Sequence, residues 1–201
     1  MHEPLGNLAL DQLFRQARTH QWFDGRPVSV DQLHAIWDLA TMGPTSMNQQ
    51  PVRVVWCHSQ AARDRLAAHA AKGNVDKVLN APVCAIIAMD TEFHEHMATL
   101  FPHGDGKAAF GGTEPAKVEI RRVSAFRNGT LQGAYLILAA RALGLDCGPM
   151  SGFNNAAVDA DFFADEPSWK SNFICSIGYG DPAKLHPRLP RPAFDQFNRL
   201  L

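Results

Sequence analysis

The chain has 201 residues, 46% of them hydrophobic, and a formal net charge of −1. That length fits one domain spanning residues 1–201 with a sizeable core. Interspersed charges of both signs give no electrostatic case for nucleic acid, and the absence of a Lys/Arg block speaks against a membrane surface.

The N-terminal stretch MHEPLGNLALDQLF lacks a basic segment and a long apolar segment, so no signal peptide is expected. No apolar run reaches the length of a membrane span. Residues 8–20 place Leu10, Leu13, Phe14 and Ala17 on one face, which predicts an amphipathic helix. Ser29 followed by Gln32 forms a capping box for a second helix, ended by Gly43 and Pro44. VRVVWCHS at 52–59 is short and β-branched, as a strand requires. A third helix follows, with Ser59 as its cap.

The run PVCAIIAMD at 82–90 is nearly all apolar and predicts a strand buried on both faces. Residues 91–113 read as a less regular segment containing four glycines. A long helix is expected from Pro115 to Leu143, stopped by Gly144. Its second half is apolar almost all round, as in a central or interface helix. DCGPMSGFN reads as a tight loop, 155–164 as a short helix, and NFICSIGYGD as another strand. Helices outnumber strands without regular βαβ spacing, so the fold class is α+β, a modest sheet wrapped by helices.

Cys57, Cys84, Cys147 and Cys175 include no CxxC pair and are expected to be buried free thiols in a reducing cytoplasm. Neither GxGxxG nor GxxxxGK[ST] occurs. GPMSG places Ser151 fourth rather than third, which removes the nucleophile-elbow geometry. His94 and His96, two apart, would point to different faces of a helix, so exposed histidines are expected there and no metal site.

Three polar clusters remain. The first is Arg18, Thr19 and His20. The second is Thr45, Ser46, Asn48, Gln49 and Gln50. The third is the GPMSG loop together with the C-terminal arginines of RLPR. Each alone is also compatible with a solvated helix end, a capped turn or a proline-rich tail. Together they point to a ligand with an anionic end and a flat polar end. Arginines bind phosphate bidentately, and carboxamides suit a heterocycle edge.

An Arg-Thr pair after an N-terminal helix, then PTSMNQQP before a strand, resembles the nitroreductase-like flavoprotein family. RALGLDCGPMSGF closing a long apolar helix and the ending IGYGD…RLPRPAFDQ add to that resemblance, which covers nearly the whole chain. GPTS, LFPHGD, AFRN, WKSN and RLPR are similar to the malonic semialdehyde reductases of pyrimidine degradation within it. The resemblance implies a small, mainly antiparallel sheet and a homodimer with one FMN at each of two subunit-interface sites.

On that basis Pro44, Thr45, Ser46 and Asn48, with Gln50 nearby, are expected to line the flavin across the interface. Arg18, Thr19 and His20 are expected at the phosphate and ring edge, with Arg188 or Arg191 completing the clamp. Pro149, Met150, Ser151 and Gly152 are expected beside the isoalloxazine. Where many members carry a second arginine, this chain reads His20-Gln21, and Val52 replaces a common aromatic.

NADH or NADPH would be the reductant and malonic semialdehyde the acceptor, giving 3-hydroxypropionate in a ping-pong reaction. The alternatives are a broad nitro- or quinone reductase and a flavin-binding redox protein without turnover. No residue is identified as the proton donor, with His103 a candidate, and His103 or Lys107 is expected to read the substrate carboxylate.

Overall fold

The computed structural model describes residues 3–201. Four strands, β1 (Val52–Cys57), β2 (Val83–Asp90), β3 (Asp146–Met150) and β4 (Trp169–Gly178), form one antiparallel sheet in the order β1-β2-β4-β3. All of β2 is buried, as its unbroken apolar run predicts. Its side chains alternate between two cores. Val83, Ala85 and Ile87 face Ile36 of α2 (Val30–Ala40) and Leu136 and Ala140 of α7 (Pro115–Ala142). Cys84, Ile86 and Ala88 face Leu66 of α3 (Gln60–Ala67), Val78 of α4 (Val75–Asn80) and Val158 of α8 (Asn155–Phe162). Each fully buried Leu or Ile here contributes about 1.5–3 kcal/mol.

The helix signals act locally as expected. Ser29 and Gln32 form the reciprocal capping box of α2, and the Ser59 hydroxyl accepts from the Ala62 N–H at the start of α3. Pro115 opens α7, and Gly144, at φ +78°, turns the chain out of it. Among the described residues no helix is long and apolar enough to cross a membrane.

Several expectations change. The helix over 8–20 is shorter: α1 (Asn7–Leu10) runs into a π-helical turn at Asp11–Arg15. Of the expected stripe, Leu10, Leu13 and Ala17 are half-buried and Phe14 is exposed, and Thr19 pairs with β3. Residues 91–113 hold a 3-10 turn at Phe93–His96, α5 (Met97–Leu100) and α6 (Gly106–Phe110). Buried Phe93 and Met97 pin this segment to Met89 and Ala125. His94 is buried beneath Glu92 and Glu95 rather than exposed.

DCGPM is a strand, not a loop, paired from Asp146↔Gly178 to Met150↔Ile174. As an outer strand of the sheet it tolerates Pro149. On its free side Thr19 forms a parallel bridge to Cys147, and the His20 N–H donates to the Cys147 carbonyl at 3.0 Å. Gly148 permits this approach: a Cβ there would sit 2.1 Å from the His20 carbonyl oxygen.

Two outcomes are expected. Gly148→Ala forces backbone against backbone and should destabilise the protein by about 1–3 kcal/mol, read from the midpoint of chemical denaturation. An unchanged midpoint would show that the Thr19–His20 segment is not held there. All four cysteines are buried and free. Burial pushes Cys57 up to about 11 and Cys84 up to about 12. A hydrogen bond to Cys147, with burial, raises Cys175 as well. A thiol reagent at neutral pH should therefore leave the native protein unmodified and label it only in denaturant. Fast labelling of any cysteine in the folded state would contradict this.

Candidate functional site

The segment 44–50 is held in a costly conformation. Met47, Asn48 and Gln50 have φ of 50°, 51° and 45°, the only non-glycine residues with positive φ among those described. Such backbone costs of order 1–3 kcal/mol per residue and persists only where the surroundings enforce it. Here α7 enforces it. The Ser46 N–H donates to Asn128 Oδ1 at 2.8 Å. Gln49, fully buried, exchanges hydrogen bonds with the Ser124 hydroxyl at 2.9 and 3.1 Å. Gln132, also buried, donates to the Gln50 side-chain carbonyl and accepts the Val52 N–H at 3.0 Å.

Further bonds complete the frame. Thr45 Oγ1 accepts the Gln50 N–H at 3.3 Å, and Asn48 donates to the Leu100 carbonyl at 2.7 Å. Arg53 reaches back to the Gln50 carbonyl at 3.1 Å while pairing with buried Asp90 at 2.7 Å. Pro44, Ser46 and Asn48 stay exposed, so this frame offers its polar edge outward.

The pairing of Thr19 and His20 with β3 places the first and third clusters together. A cleft of about 180 Å³ is lined by Arg18, Thr19, Gln21, Lys184, His186, Arg188 and Arg191. The Arg18 guanidinium donates to the His186 carbonyl, and Arg188 donates to the Ala17 carbonyl at 2.9 Å. Arg191 donates to the carbonyls of Leu189 and Pro190 at 3.0 and 3.2 Å. Among the described residues, none of the three arginines nor Lys184 forms an ion pair with a carboxylate. Carbonyls orient these cations without neutralising them, which suits a bound anion.

Next to this cleft, Thr19, His20 and Gln21 meet Gly148, Pro149, Met150 and Lys77. Lys77 donates to Asn74 Oδ1 at 3.0 Å, and Asn74 donates to the Gly152 carbonyl at 3.0 Å. Sequence reasoning missed Asn74 and Lys77. Their spacing of three on a short helical stretch, which puts both on one face, was the available signal. His20 contributes backbone and a buried ring rather than an open imidazole. Its Nε2 lies 3.5 Å from Asp146, its Nδ1 has no partner, and the ring packs on Gly180. Ser151 is exposed, and its neighbour Gly152 is the residue tied to Asn74.

The segment 101–113 does not reach this cleft. Lys107 pairs with Glu95 at 2.5 Å, and that hydrogen bond holds the Glu95 carboxyl below its usual range. This occupies the ammonium expected to read a substrate. His103 is exposed in a turn. Buried Arg121 ties the segment to α7 through the carbonyls of Phe110 and Gly112 at 2.9 and 2.6 Å and through Glu92 at 3.1 Å. Among the described residues no group of three metal-ligating side chains converges. One chain thus carries two separate polar regions: the frame at 44–50 on α7 and the cationic cleft beside β3. They share no lining residue.

Comparison with known proteins identifies the family. The profile of the nitroreductase family matches residues 14–179. A Rhodopseudomonas palustris protein, provisionally named NADH dehydrogenase/NAD(P)H nitroreductase, is 53% identical over 201 residues, the full length of both chains. HadB of Ralstonia pickettii, given the same provisional name, is 52% identical over 190 residues, 94% of this chain and 95% of that one. A solved structure from Exiguobacterium sibiricum, provisionally a nitroreductase and in complex with FMN, superposes with a TM-score of 0.82 at 20% identity over the full length of both. On the family match and these close relatives, the chain belongs to the nitroreductase family.

Proposed function

We propose that the protein is an FMN-dependent NAD(P)H oxidoreductase that works as a homodimer and reduces a small carboxylated aldehyde, malonic semialdehyde being the leading acceptor. The observation that carries this reading is the pair of half-sites on separate parts of one chain. A second copy supplies the missing half of each. The exposed apolar side chains of α7 at Val118, Phe126 and Tyr135 give such a copy a surface to cover. The relatives named as NAD(P)H nitroreductases and the FMN held by the Exiguobacterium protein support the cofactors.

The residues present fit FMN. A phosphate monoester meets Arg18, Arg188 and Arg191, oriented by carbonyls, and Lys184, which lies over the Trp22 ring, all left without acidic partners. Thr19, Pro149 and Met150 with Lys77 form an adjoining wall, where Lys77 places positive charge against an electron-rich ring edge. Thr45, Ser46, Asn48 and Gln50 offer short donors and acceptors from the partner's strained frame. When bound, FMN supplies the hydride chemistry, and the chain holds and orients it.

The purified protein should be a yellow homodimer, measured by light scattering and absorbance. Anaerobic NADH or NADPH should bleach it, and malonic semialdehyde should restore the colour. A colourless monomer that takes up no FMN would overturn the reading. Recovery with a quinone but not with the aldehyde would favour the broad reductase, and no bleaching by either nucleotide would favour a redox protein without turnover.

The cleft yields its own expectation. Arg18→Ala or Arg191→Ala removes a charge-assisted hydrogen bond worth about 1.5–3 kcal/mol. FMN affinity should fall roughly 10- to 150-fold in each, measured by equilibrium dialysis. Wild-type affinity in both variants would place the phosphate elsewhere.

A further inference from the structure

A second cavity, of about 570 Å³, opens beside the strained frame, between α6 and the outer face of α7. It is within the size range of small-ligand sites. Phe110, Ile120, Val123 and Leu131 make it mostly apolar, and Ser46 forms one edge. Two charged side chains line it, Glu119 and Arg127. Glu119 is already neutralised: Arg122 meets both of its oxygens at 2.7 Å and holds its carboxyl below the usual range. Arg127 is exposed and, among the described residues, forms no ion pair. A free guanidinium in an apolar recess, with its one acidic neighbour occupied, is a receptor for a planar anion.

We propose that Arg127 is the specificity-determining residue that binds the carboxylate of the acceptor, in this cavity next to Ser46. The proposal rests on the function inferred above in placing the acceptor beside the frame at 44–50. It moves carboxylate reading away from Lys107, whose ammonium Glu95 holds. Ser46, Ser124 and Asn128 add polar edges to the apolar walls, and among the described residues Arg127 remains the one unpaired charge there for a short acceptor.

The test compares two acceptors that differ only in the carboxylate, 4-nitrobenzoate and nitrobenzene, with the FMN-loaded protein. Arg127→Ala should lower the ratio of their kcat/KM values at least tenfold, chiefly through KM for the nitrobenzoate. Arg127→Lys should recover part of that loss. Since Arg127 has no ion pair to lose, both variants should fold. An unchanged ratio overturns the proposal, as does loss of FMN by Arg127→Ala with the ratio intact. Calorimetric titration with benzoate and benzamide requires no turnover and separates this proposal from the parent reading. If the wild type oxidises neither NADH nor NADPH, the proposed function fails. Benzoate binding that is lost in Arg127→Ala then still supports the anion site, and wild-type protein that does not bind benzoate removes it.

Discussion

The buried carboxamide of Gln132 joins three parts of the molecule: α7, β1 and the frame at 44–50. It sits on α7, accepts the first N–H of β1 and donates to the Gln50 side chain. With Asn128 one turn earlier and Ser124 one turn before that, it forms a polar row along a helix that otherwise packs apolar residues on the sheet. Each such hydrogen bond is worth about 0.5–1.5 kcal/mol net. Left-handed backbone costs of order 1–3 kcal/mol per residue, so several bonds are needed to hold three such residues. The exposed donors and acceptors of Pro44–Gln50 exist as a preformed surface because α7 carries that row.

The placement of the cationic cleft depends on backbone rather than side chains. β3 borders solvent on one side, and an unpaired edge there would leave N–H and C=O groups free. Thr19 and His20 cover it, and the missing Cβ of Gly148 lets them approach. That contact sets Arg18 facing the C-terminal segment, where His186, Arg188 and Arg191 complete the cleft. One close approach thus places cations from residues some 170 positions apart around one small volume.

Charge is distributed by pairing, not by amount. Arg26 with Asp24, Arg65 with Asp161, Lys107 with Glu95 and Arg122 with Glu119 cancel at the surface. Exposed pairs of this kind are worth little to stability. At the two cavities the cations stay without acids: Arg18, Lys184, Arg188 and Arg191 line one and Arg127 the other, and among the described residues none of them forms an ion pair. A net charge of −1 averages this contrast away.

The sequence by itself determined the features that local chemistry controls. The unbroken apolar run of β2, the capping box of α2, the Ser59 cap of α3, and the start and stop of α7 were legible because such signals act within a few residues. The polar density of PTSMNQQP was legible in the same way, and the family resemblance pointed to the arginines that the structure gathers in the cleft. Tertiary structure decided the rest. Gly148 and Pro149 look like a turn until β4 pairs with them, and Phe14 looks buried until the fold leaves it exposed. Lys107 looks free until α6 brings it to Glu95, twelve positions earlier. Lys77 and Arg127 look ordinary until one faces Gly148–Met150 and the other lines a cavity with no acid left to pair with. Side-chain availability depends on which partners the fold brings within hydrogen-bonding distance, and spacing along the chain does not encode that.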